Sequence, residues 1–269
     1  MSNGKVKLIV LTLTMVSLFA GAVYAGDLKN IVIISIDALH PDALRMAKIP
    51  TLQKLMHGGA YTLDGRSTEP PKTLIAHTAM FTGMKPIENG KMDNSWVPGQ
   101  AMVDKPTIFN RARSYGFRTG YFYAKQKLGY LVNGAIDAHK WSRDNSIDLA
   151  EAFVKTPDRH FVFLHISGLD EVGPQYGWLS PEYLEELSFI DEYLSTLVDS
   201  IERQKNYLMI VTSDHAGHAK IHGSQYPEDY RLPFIISSDA VPVKNFHNML
   251  FAVVDLKKIL EKLQPKIGR

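Results

Sequence analysis

The 269-residue chain contains no cysteine. That excludes disulfides, a thiol nucleophile, a thiolate metal site and a lipidated cysteine. Any metal must then sit on oxygen and nitrogen ligands. The chain also lacks a charge imbalance. It has 30 basic and 28 acidic residues and a net charge of +2. Nothing in that balance calls for nucleic acid or an anionic membrane as a partner. There is no repeat, no low-complexity tract and no linker rich in Pro, Gly or Ser, so one domain is expected over residues 26–269. The hydrophobic content of 45% suits a globular domain with its own core. Nothing specifies an oligomeric state.

Long apolar runs are also scarce. One lies at the N-terminus, where Lys5 and Lys7 precede a run from Leu8 to about Ala20. It falls short of the roughly 20 residues that a membrane-spanning helix needs. Val23-Tyr24-Ala25 then offers a small-x-small cleavage site before Gly26. This is the layout of a secretory signal peptide over residues 1–25. A secreted or periplasmic location is therefore expected, with no stable membrane span after cleavage. A bacterial periplasm best suits an exported chain without cysteine.

Short continuous apolar runs are present instead. "NIVIISID", "FRTGYFYA", "HFVFLHIS", "NYLMIVTS" and "LPFIISS" predict strands buried on both faces. Helical patterns lie between them. In "SPEYLEELSFIDEYLSTLVDSIERQ", Ser180 is a suitable N-cap, Pro181 suits the first helical position, and apolar residues recur at helical spacing. "TIFNRARSYG" and "VVDLKKILEKL" are two further helices. The alternation predicts an α/β fold, a three-layer α/β/α sandwich around a largely parallel sheet.

In such sheets ligands bind beyond the carboxyl ends of the strands. Those ends carry Asp37, the stretch from Ser167 to Asp170, and Asp214-His215. Each has an ordinary local explanation. Asp37 could cap a helix near "HPDALR", Asp214 could sit in a turn, and Asp170 could be a solvated loop residue. Gathered on one edge, three carboxylates repel one another unless a cation joins them. Thr73 opens another helical pattern, Thr73 to Phe81, after Pro70-Pro71-Lys72. It could be only a cap. A hydroxyl at a helix N-terminus, next to a metal and a lysine, could also be ionised to attack phosphorus.

Four ordered stretches resemble one family. They are "IISIDALHPD", "PPKTLIAHTAMFTGMKPIENGKMDN", "LDEVGPQYGWLSPEYLEEL" and "VTSDHAGHAKIHGSQYPEDYRLPFI". Together they are similar to the motifs of the alkaline phosphatase superfamily, in its type I phosphodiesterase and nucleotide pyrophosphatase branch. The resemblance implies two divalent metal ions, with zinc expected. Asp37, Thr73, Asp214 and His215 would hold one ion. Asp170, a histidine four residues later and His222 would hold the other. Thr73 would be the nucleophile, forming a phosphoryl-threonine on a small phosphate-ester substrate. Lys72 and Asn94 match substrate-binding positions flanking the site.

The chain departs from the pattern in three places. The second metal's expected histidine is Pro174, which leaves Glu171, Gln175, His218 or water to fill the gap. Ala76 replaces a frequent asparagine, and Lys72, Lys125 or Lys127 could compensate. The chain also leaves little room for the caps and insertions of larger relatives. Thr73 at the nucleophile position, without a Pro-x-Arg continuation, favours phosphate over sulfate esters. Two other readings stay open: a non-catalytic relative that binds phospho-ligands or metal, and an envelope phosphoglycerol or phosphoethanolamine transferase. His77 and His165 sit in apolar contexts and are read as packed side chains, while Trp96, Trp178 and the tyrosines near "GYFYAKQKLGY" could stack on a base but are read as core packing. His218 has no assigned role.

Overall fold

The computed structural model describes residues 28–263. The signal-peptide reading of residues 1–25 lies outside them. Among the described residues, no helix is long and apolar enough to cross a membrane.

The strands are β1 (Asn30–Ile36), β2 (Ala60–Arg66), β3 (Arg118–Tyr123), β4 (Ala138–Trp141), β5 (His160–Ile166), β6 (Tyr207–Thr212) and β7 (Arg231–Ser238). They form one sheet in the order β2-β7-β6-β1-β5-β3-β4. The pairs β6-β1, β1-β5, β5-β3 and β3-β4 are parallel, while β7 runs antiparallel to both its neighbours. The helices are α1 (Ala43–Met46), α2 (Pro50–Gly58), α3 (Thr73–Thr82), α4 (Pro86–Asn89), α5 (Ile108–Ser114), α6 (Ser146–Val154), α7 (Gly168–Tyr176), α8 (Pro181–Gln204) and α9 (Asp255–Leu263).

The sheet separates two apolar layers. Ile31 and Ile33 of β1 face Phe81 of α3, Phe109 of α5 and Leu256 of α9 on one side. Val32 and Ile34 face Leu52 of α2, Val154 of α6 and Leu194 of α8 on the other. Successive side chains of a strand point to opposite faces, so a strand covered twice must be apolar throughout. All seven residues of β1 and of β5 are buried accordingly.

All five predicted strands are present. The apolar signal missed the two edge strands, β2 and β4. An edge strand is covered less completely, and β4 leaves three of its four residues exposed. Helix α8 starts as expected, with the Ser180 hydroxyl accepting from the Tyr183 N–H at 3.2 Å.

Candidate active site and metal centre

Four adjacent strands bring the chemistry to one edge. Beyond β6 lie Asp214 and His215, beyond β1 lies Asp37, beyond β5 lies Asp170 and beyond β3 lies Lys125. Parallel running places all four carboxyl ends together, as the sheet topology demands.

Asp37 does not cap α1, whose N-cap is Asp42. The chain instead turns sharply after Asp37. Ala38 takes φ +62°, a left-handed conformation that a residue with a Cβ rarely adopts. The turn is clamped from both sides. The Ala38 N–H donates to Asp214 Oδ1 at 3.2 Å, and the buried Tyr183 hydroxyl donates to the Ala38 carbonyl at 2.6 Å. Tyr183 also accepts from the His40 N–H.

The carboxylates divide their oxygens between partners. Asp37 Oδ2 lies 3.0 Å from His165 Nε2 and 2.6 Å from Lys125 Nζ. His165 Nδ1 accepts from the Ala124 N–H, so the ring proton sits on Nε2 and points at Asp37. Asp170 Oδ2 is bound by Lys125 Nζ. What remains is Asp37 Oδ1, Asp170 Oδ1, Asp214 Oδ2 and His215 Nε2. Among the described residues these four buried atoms have no hydrogen-bond partner.

Buried unpartnered polar atoms are costly and need an explanation. His215 Nε2 lies 3.3 Å from Asp37 Oδ1, 3.5 Å from Asp214 Oδ2 and 3.7 Å from Asp170 Oδ1. Oxygen and nitrogen ligands about 2.0–2.2 Å from a tetrahedral cation lie about 3.3–3.6 Å apart. The donor set therefore fits a divalent cation. His215 is also oriented for it, because its Nδ1 donates to the Ala216 carbonyl at 2.9 Å and turns Nε2 toward the carboxylates. A second group of potential ligands, Asp170, His215 and His222, shares His215 with the first. The His215 and His222 rings stack at 4.8 Å, within 6° of parallel.

The electrostatics follow. Burial acts to lower the basicity of His215, but Asp214, Asp37 and Asp170 reverse this and raise its pKa to about 9. Burial opposes ionisation of Asp37. Lys125, then His165 and His215, overcome it and hold this carboxyl well below the usual range. Asp170 moves the other way, raised by burial and by the charge of Asp37. Burial would likewise depress Lys125, yet three carboxylates raise it above its ordinary value.

Thr73 is the first residue of α3 and is 1% exposed. Every residue of this helix is buried. His77 locks its first turn, with Nδ1 donating to the Thr73 carbonyl at 2.7 Å and Nε2 accepting from Ser35. Burial lowers the His77 pKa to about 4, against the pull of Asp214, so the ring is neutral. The Thr73 hydroxyl lies 3.4 Å from Lys125 Nζ. Asn94 Oδ1 accepts from the Leu74 N–H at 2.8 Å and so pins the start of α3. Lys72 precedes it, half-buried, beside the loop at Gly223. Ala76 is fully buried in α3.

None of the residues suggested to replace Pro174 does so. His218 Nδ1 binds Asp229 Oδ1 at 2.7 Å and its ring stacks on Tyr226 at 4.0 Å. It anchors the loop that carries His222, because Asp229 also accepts from the Ser224 N–H. Glu171 pairs with Arg143, and Gln175 bonds to Tyr176. Trp178 is packed as expected. It fills the space over Gly173 and Gly217 and meets the His222 ring at 5.5 Å. His77 and His165 are packed too, but both bond to the machinery. Lys125, offered by the sequence only as a possible compensation for Ala76, instead bridges Asp37 and Asp170. Its signal was its place just after β3, on the same edge as the carboxylates.

Several known proteins share this architecture. Murine ectonucleotide pyrophosphatase / phosphodiesterase 5, as an inactive threonine-to-alanine variant in complex with AMP, superposes with a TM-score of 0.71 at 14% identity, covering 90% of this chain and 97% of that one. The C-terminal periplasmic domain of EcEptC from Escherichia coli, in complex with Zn, gives 0.65 at 11% identity, covering 89% and 83%. The 2-O GAG sulfatase BT1596 gives 0.69 at 15% identity, covering 90% and 72%. In sequence, the chain is 32% identical over 202 residues to GPI ethanolamine phosphate transferase 1 of Yarrowia lipolytica, and 30% identical over 201 residues to that of Emericella nidulans. These matches take in 62% and 64% of this chain but 21% of each relative. The chain thus spans about a fifth of the length of these curated relatives. The family model for type I phosphodiesterase / nucleotide pyrophosphatase matches residues 31–231, which include every strand-end residue described above. The chain belongs to the type I phosphodiesterase / nucleotide pyrophosphatase family.

Proposed function

We propose that the protein is an exported, metal-dependent enzyme that cleaves phosphate esters through Thr73. The observation that carries this reading is the place of the Thr73 hydroxyl, at a helix N-terminus and 3.4 Å from the Lys125 ammonium, which itself contacts Asp37 and Asp170. Asp37, Asp214 and His215 would hold the metal, with Asp170 and His222 adjoining. The mixed oxygen and nitrogen donors suit zinc. Bound there, the cation would act as a Lewis acid, stabilising the ionised hydroxyl and the phosphoryl oxygens.

The chain's own residues do the rest. Thr73 Oγ attacks phosphorus, its bond to phosphorus forms, and the bond to the leaving alcohol breaks. Water then takes the phosphoryl group from Thr73 and restores the hydroxyl. Lys125 offers positive charge to the oxygen that attacks, and His77 and Asn94 hold α3 so that the oxygen stays aimed. Lys72, which directly precedes Thr73, would meet a phosphoryl oxygen. The substrate would be a small phosphate ester.

The named relatives favour a second reading. They are ethanolamine phosphate transferases. The same phosphoryl-threonine would then pass its group to an alcohol rather than to water. Bis(p-nitrophenyl) phosphate tests both readings. Thr73→Ala should lower its turnover by at least about 10³-fold, and undiminished turnover sinks a threonine mechanism. Product analysis with added ethanolamine or glycerol separates hydrolysis from transfer.

A further inference from the structure

The resemblance to two-metal enzymes assigns separate ligand sets to two cations, but the donor atoms here do not divide that way. Each of the three carboxylates has one oxygen already engaged. Asp37 Oδ2 is held by His165 and Lys125, Asp170 Oδ2 by Lys125, and Asp214 Oδ1 by the Ala38 N–H. The free atoms are one oxygen from each carboxylate and one nitrogen from His215. They converge within 3.7 Å of His215 Nε2. The two potential ligand groups both need that nitrogen. One nitrogen lone pair serves one cation. If His215 joins Asp37 and Asp214, the other group retains only Asp170 Oδ1 and His222 Nε2, which lie 3.4 Å apart. Pro174 adds no ligand.

Lys125 stands where more positive charge is needed. Its ammonium touches Asp37 and Asp170 and lies beside Thr73 Oγ1. Asp37, Asp170 and Asp214 carry three negative charges. With Thr73 neutral, one divalent cation and one ammonium balance them, whereas a second divalent cation beside the ammonium would leave an excess of two positive charges. We propose that this centre takes a single divalent cation and that the Lys125 ammonium stands in for the second, bridging Asp37, Asp170 and the nucleophile. This rests on the reading of Thr73 as nucleophile.

Bound metal is the direct test. Protein stripped with a chelator, reloaded with Zn²⁺ and desalted should retain one equivalent per chain by mass spectrometry. Two equivalents, or none, overturn the proposal. The Lys125→Met/Pro174→His double variant, checked for folding by circular dichroism, should retain two. If it folds and still retains one, the ammonium is not what stands in for the second ion. Lys125→Met alone should keep one equivalent and lose about 10²–10³-fold in turnover; unchanged turnover also overturns the proposal. Thr73→Ala separates the two ideas. Its loss of turnover together with two zinc equivalents in the wild type refutes only the single-cation centre, and its full turnover refutes the threonine mechanism whatever the metal count.

Discussion

The two halves of the centre are built differently. Asp37, Thr73, Asp214 and His215 are each 1% exposed or less, and backbone or buried side chains hold them at several points. Asp170 and His222 are looser, with side chains 12% and 30% exposed. His222 rides on a loop that is fastened at a distance, through His218 and Asp229. A buried ligand held by a hydrogen-bonded surround is set before the cation arrives. A ligand on a loop is ordered partly by the cation itself. The departure among the expected metal ligands, Pro174, lies on the looser side.

Removing a ligand from each half should break this comparison most clearly. His215→Ala takes away the nitrogen shared by both ligand groups, and is expected to abolish stable zinc binding and lower turnover by at least about 10³-fold. His222→Ala should cost only about 10–10² in zinc affinity. Equal losses, read by zinc titration and turnover, would mean that the halves are not unequal. A smaller effect is expected at the loop anchor. Asp229→Ala strips the partners from His218 and the Ser224 N–H, and should cost about 1–3 kcal/mol. Thermal unfolding should register that loss, with zinc affinity falling through His222 rather than His215.

A buried histidine remote from the carboxylates sharpens the electrostatic side. His160 opens β5, the strand that ends beside Asp170, and bonds Asn30 and Thr156. Burial lowers its pKa to about 4, with Asp158 opposing only in part. Its neutral form is the one that the fold stabilises. That contribution is complete above pH 6.5 and is lost as the pH falls from 6.5 toward about 4, by roughly 2–3 kcal/mol. His160→Gln should flatten the acid limb of the stability curve measured with urea. An unchanged limb would assign the acid loss to other groups.

Much of this was legible in one dimension. Five continuous apolar runs marked the doubly covered strands, because covering on both faces forbids alternation. The polar residues closing three of those runs marked the site edge. Edge strands β2 and β4 were not legible, since incomplete covering relaxes the apolar requirement. Lys125 was named only as a possible compensation for Ala76. It follows its strand by two residues, and no local pattern distinguishes it from a surface lysine. His218 looked like a spare ligand because it lies three residues from His215. The short reversal at His218–Ile221 turns it instead toward Asp229.

The sequence by itself determined the five inner strands, the edge at which chemistry collects, the Thr73 helix start and the family. Burial and strand direction are properties of residue type and order, so they can be read along the chain. Tertiary structure alone decided which oxygen of each carboxylate is already taken, that one histidine nitrogen serves both ligand groups, and that a lysine from a fourth strand lies between Asp37 and Asp170. Those facts depend on distances between residues 37, 125, 170 and 214, which only the packed sheet brings within a few ångströms.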